Sequence, residues 1–150
     1  MQPTDLPADP FLRAFRGSFT SALRWPQLDD LWLRMRERAD AGWYIYAIGE
    51  PPPATATDAA GVEAFITEID ALLRKEHDED YCGIVYADEP RAPTFVKIYD
   101  PHNLGVSCGF SDNPPLPGWV MSLVPPVDLP AARAPKNRQR WWQRLVGRSV

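Results

Sequence analysis

Cysteine is nearly absent from this chain: Cys82 and Cys108 are the only two in 150 residues. A disulfide framework is thereby excluded, and a reducing compartment fits. No apolar run approaches the roughly 20 residues that span a bilayer. The opening Met1-Gln2-Pro3-Thr4-Asp5-Leu6-Pro7 lacks the basic-then-apolar order of a signal peptide. A cytoplasmic protein is the expectation. No serine sits in a nucleophile elbow and no glycine run forms a phosphate-binding loop. The residues thus offer no constellation in support of an enzyme, and no cofactor is expected.

Proline, by contrast, is abundant. The 17 prolines cluster at Pro51-Pro52-Pro53, Pro90 and Pro93, Pro114-Pro115 and Pro117, Pro125-Pro126, and Pro130 and Pro135. Each cluster removes backbone donors and resists helix, so the elements between are short and well delimited. Acids are missing from one stretch: residues 133–150 hold Arg133, Lys136, Arg138, Arg140, Arg144 and Arg148 and no carboxylate. With a net charge of −4 for the whole chain, six cations in this tail leave ten excess negative charges on the other 132 residues. An acidic body ending in a basic tail points to an anionic partner or to a tail that folds back.

Two amphipathic helices are readable. Over Pro26–Ala41, Leu28, Leu31, Trp32, Met35 and Ala39 share a face, Asp29 and Asp30 sit near the first turn, and Gly42 follows as a stop. Over Asp58–His77, Val62, Phe65, Ile66, Ile69, Leu72 and Leu73 form a stripe, with Thr57 or Asp58 as cap. Phe11, Phe15, Phe19 and Leu23 recur every four residues, a helical spacing weakened by Gly17 and the hydroxyl residues around it. Three phenylalanines in nine residues should dock on the domain.

Strands read at Trp43–Ile48, apolar on both faces, and then in succession at Tyr81–Ala87, Thr94–Tyr99, Leu104–Phe110 and Trp119–Val124. Asp100-Pro101-His102-Asn103 reads as a hairpin joint. The run Glu76-His77-Asp78-Glu79-Asp80 reads as a solvated connector. The resulting expectation is one α+β domain over 1–124, an antiparallel sheet of about five strands covered on one face by the two helices, after a flexible 1–10. A proline–alanine spacer over 125–136 and a basic amphipathic tail over 137–150 complete the chain.

In that tail Trp141, Trp142, Leu145 and Val146 would gather on one helical stripe flanked by Arg138, Arg140 and Arg144. Two placements compete: docking on the chain's own sheet, or in a groove of another protein. Peripheral membrane contact is a lesser option, and nucleic acid is disfavoured because phosphate would repel an acidic body. The functional expectation is a non-catalytic bacterial accessory or protein-interaction domain, with Arg138, Arg140, Trp141, Trp142, Arg144 and Leu145 as its docking residues; the bacterial source is inferred from the proline, alanine and arginine content. The alternative is a small-ligand or metal-binding domain, catalytic activity included. It would use an aromatic sheet face or a cluster of His77, Cys82, His102 and Cys108, although buried thiols usually serve the core.

Overall fold

The structure, a computed structural model, describes residues 9–77, 82–101 and 116–129. Its elements run α1 (Pro10–Phe15), β1 (Thr20–Ser21), α2 (Trp25–Glu37), β2 (Tyr44–Ala47), α3 (Ala59–Glu76), β3 (Val85–Ala87), β4 (Phe95–Ile98) and β5 (Trp119–Ser122). The five strands form one antiparallel sheet in the order β1-β3-β4-β5-β2, so the architecture is α+β.

The two long helices form where their apolar stripes fall. Asp58 caps α3, its carboxylate accepting from the Gly61 N–H at 2.8 Å, and the Gln27 side chain accepts from the Arg24 N–H at the start of α2. Beyond α2 the chain reverses at Gly42, whose φ of 97° is a conformation that an L side chain resists. Both helices bury their stripes on one sheet face. Leu28, Leu31, Trp32 and Met35 of α2 and Val62, Phe65, Ile66, Ile69 and Leu73 of α3 meet Ile45, Ala47, Val85, Val96, Ile98, Trp119 and Met121.

Polar groups tie the two helices together at their outer rim. The Asp70 carboxylate accepts from the Trp32 indole at 3.1 Å and from Arg74 Nε at 3.0 Å. Arg74 also reaches Asp29 at 2.6 Å and lies over the Trp25 ring, 4.8 Å from its centroid.

Alternation along the strands sends Tyr46, Phe95 and Val120 to the opposite face. There they and Ile48 surround Phe11 of α1, which is fully buried. α1 is capped by Asp9, which accepts from the Phe11 and Leu12 N–H groups, and Pro10 occupies its first turn. Six residues cannot sustain a helix in water, so its aromatic anchors hold it. Beside α1 lie Val124, Val127 and Leu129. The Tyr46 hydroxyl fixes this last segment, accepting from the Leu129 N–H at 3.3 Å and facing the Asp128 carboxylate at 3.4 Å.

The two long helices cover one face of the sheet as expected, and the other face is covered as well, by a third, short helix and by Val124–Leu129. The fifth strand of the described sheet is Thr20–Ser21 at its edge, within the stretch whose four-residue spacing reads as helix. The expected strand over Leu104–Phe110 lies outside the described residues, as do His102 and Asn103 of the expected hairpin, and β4 has β3 and β5 on its two sides. Val127 and Leu129, in the stretch whose composition reads as spacer, pack on the sheet.

Both edges of the sheet are protected. β1 has only two residues, and along β2 the carbonyls of Trp43 and Ala47 accept from the Thr57 and Glu50 N–H groups at 2.7 and 3.0 Å. The β3–β4 connection is held by Asp88, whose carboxylate accepts from the N–H groups of Glu89, Thr94 and Phe95 and pairs with the Thr94 hydroxyl. No described helix is long and apolar enough to cross a membrane.

Candidate functional site

A charged residue on an otherwise apolar central strand marks the most unusual chemistry in the described fold. β4 is the middle strand of five, and its residues alternate between the two layers: Val96 and Ile98 face the long helices, Phe95 and Lys97 the α1 side. Across the sheet Lys97 stands opposite Tyr86 on β3 and Val120 on β5, and Tyr86 in turn stands opposite Ser21 on β1. One row on one face thus runs Ser21, Tyr86, Lys97, Val120, Tyr46.

The cover over this row is aromatic. Phe11 and Phe95 have ring centroids 5.3 Å apart, and Phe15 and Phe19 meet the Phe95 ring edge-on at 6.1 and 5.6 Å. The Lys97 ammonium lies between the latter two, its Nζ 4.2 Å from the Phe15 centroid and 4.1 Å from that of Phe19. A cation is attracted to each ring face, but two hydrocarbon rings do not replace lost water. Burial accordingly pushes the Lys97 amine down to about 8. Among the described residues it has no carboxylate partner; the ion pairs there join Arg34 to Asp30 and Arg74 to Asp29 and Asp70.

Next to this amine the cover thins. Tyr86 is partly exposed and meets the Tyr99 ring edge-on at 5.6 Å, and burial followed by the nearby Tyr86 raises the Tyr99 phenol above its ordinary value. The Ser21 hydroxyl oxygen is buried and has no hydrogen-bond partner among the described residues. An amine, a phenol and a hydroxyl thus succeed one another on adjacent strands. A separate groove of about 310 Å³ opens on the other face, between β1, α2 and the β3–β4 turn, where Asp30, Arg34 and Arg91 line it.

The residues that sequence reasoning favours fall elsewhere. Arg138, Arg140, Trp141, Trp142, Arg144 and Leu145 lie outside the described residues, as do His102 and Cys108 of the alternative metal set. Cys82 is fully buried against the α2–α3 layer, and burial raises its thiol. His77 ends α3 with its ring 6.2 Å from that of Trp25. No cluster of three metal-ligating side chains occurs among the described residues. Of the aromatic residues of Trp43–Ile48, Trp43 packs on one face and Tyr46 on the other, while Tyr44 is partly exposed.

Nothing in the sequence around Lys97 forms a motif. The one signal was its position, the single charged residue of Phe95-Val96-Lys97-Ile98, on the same face as a phenylalanine. The chain matches no protein-family model, no curated protein and no solved structure.

Proposed function

We propose that the protein is a non-catalytic accessory or interaction domain of the bacterial cytoplasm. Its tail over 137–150 docks on another protein through Trp141, Trp142 and Leu145, with Arg138, Arg140 and Arg144 steering the encounter. The observation that carries this reading is the closed state of the sheet. The described residues already cover both faces: α2 and α3 on one, α1 and Val124–Leu129 on the other. The apolar surface on which the tryptophans would dock in cis is therefore taken by other side chains, which favours docking in trans. The charge partition adds to this, since six cations on a segment outside an acidic body suit a partner with an acidic groove.

The test compares the intact protein, recovered from its own cells, with the Trp141→Ala/Trp142→Ala double variant by native mass spectrometry. The expected result is a second polypeptide on the intact protein, lost in the variant, at a melting temperature that stays the same. A large drop in melting temperature in the variant would return the tail to the domain's own core.

A further inference from the structure

We propose that Lys97 is a reactive amine that binds small aromatic aldehydes as imines, at the rim of the aromatic cover on the α1 face. The site is independent of the tail and of any partner it captures.

Four observations converge on this residue. The amine sits on the central strand of the sheet, where its backbone is held from both sides by β3 and β5. It is walled by Phe15 and Phe19, which favour a flat apolar ligand, and no carboxylate among the described residues holds its proton. Among the described residues the groups around it are the two rings from the α1 segment, Tyr86 opposite on β3 and Val120 opposite on β5, so that the titratable residue paired with it across the sheet is a phenol. Finally, this chain builds its cations from arginine, with lysine only at 75, 97 and 136. A guanidinium would fill an aromatic sandwich at least as well, but only an amine can lose its proton and become a nucleophile.

The chemistry is a condensation. The neutral amine adds to the aldehyde carbon, forming a carbinolamine. Loss of one water then gives the carbon–nitrogen double bond, so that one amine and one aldehyde yield one imine and one water with no change in oxidation state. Tyr86, paired with Lys97 across β3 and β4, supplies a phenol on the same face, a group able to donate a hydrogen bond to the departing oxygen.

The magnitude follows from the neutral fraction. With the amine held at about 8, about one molecule in ten carries free base at pH 7, against about one in 2,500 for an exposed lysine. A less basic nucleophile is intrinsically weaker; applying the slope of about 0.45 known for thiols leaves an advantage of about 20-fold.

The experiment treats the full chain with pyridoxal and cyanoborohydride at pH 7 and locates the label by peptide mass mapping. The expected result is that Lys97 is labelled about 20-fold faster than Lys75 and Lys136, with a rate that saturates in pyridoxal. The preference should vanish in urea, and Lys97→Arg should remove the fast label while the circular dichroism spectrum is unchanged. Lys97 labelled no faster than the other two lysines would overturn the proposal. A rate strictly linear in pyridoxal would reduce Lys97 to an exposed amine without a binding site and would overturn it equally.

Discussion

Replacing Phe11 by alanine should expose how much of the fold depends on its short first helix. Phe11 is fully buried and has three rings around it, with centroids 5.3 Å away for Phe95, 6.1 Å for Tyr46 and 6.2 Å for Phe15. A buried phenylalanine truncated to alanine costs about 3–5 kcal/mol. The upper end applies because α1 has six residues and no stability of its own, so losing its anchor undocks the helix and leaves Tyr46 and Phe95 partly bare. For a domain of this size that is a fall in melting temperature of roughly 10 °C or more. Urea unfolding should show a lower midpoint, and Phe11→Leu, which keeps most of the volume, should lose less than half as much. A second readout is the Lys97 titration, followed by NMR in protein with labelled lysine: with Phe15 and Phe19 released, its midpoint should climb from about 8 toward the ordinary lysine value. A Phe11→Ala protein within 1 kcal/mol of the parent, with the Lys97 midpoint unmoved, would show that α1 does not belong to the folded unit.

Lys97→Met should raise the melting temperature at pH 7, because folding there holds a charged amine between two rings, and the gain should shrink as pH rises. The sign follows from a folded value of about 8 below the unfolded value of about 10.4: the parent loses stability as pH falls from 10.4 to 8, carries the full penalty below 8, and regains stability as pH rises from 8 toward 10.4. Thermal melts of both proteins at pH 7 and pH 9.5 check this, and a gap that widens with pH would refute it. At the helix rim, Asp70→Ala strands the Trp32 indole and should cost about 1–3 kcal/mol, whereas Asp70→Asn keeps that bond and loses only a part-exposed ion pair with Arg74, under about 1 kcal/mol. Urea midpoints of the two variants distinguish these; equal losses would mean that the charge, not the indole bond, matters.

The long helices were legible because a 3.6-residue period repeated over 13 and 18 residues averages out local exceptions. The antiparallel α+β class followed from short β-branched runs between prolines. What escaped was short or isolated. Two residues, Thr20–Ser21, carry no period, and they lie in a stretch where Phe11, Phe15, Phe19 and Leu23 imitate a helix; the phenylalanines are spaced for docking on a sheet face, and the helix ends at Phe15. Val127 and Leu129 are single apolar residues among prolines, and their packing on the Phe11–Tyr46 cluster, together with the Tyr46 hydroxyl, holds the chain on the sheet there. Lys97 reads in sequence as a solvent-facing strand residue, because alternation predicts a polar side and cannot tell that two phenylalanines 78 and 82 residues earlier will cover it.

The chain enters and leaves its described fold on the same side: α1 and Val124–Leu129 lie next to each other on the face opposite α2 and α3. Whatever is attached beyond Leu129 is therefore leashed to that side. The seven residues from 130 to 136 span at most about 25 Å fully extended, so a partner gripped by the following segment is confined to a hemisphere centred on the Tyr46–Leu129 contact. Once held there, its effective concentration at the domain surface is on the order of tens of millimolar. The side of the sheet where the described chain ends is the one that carries Lys97 and Tyr86, opposite the layer of α2 and α3.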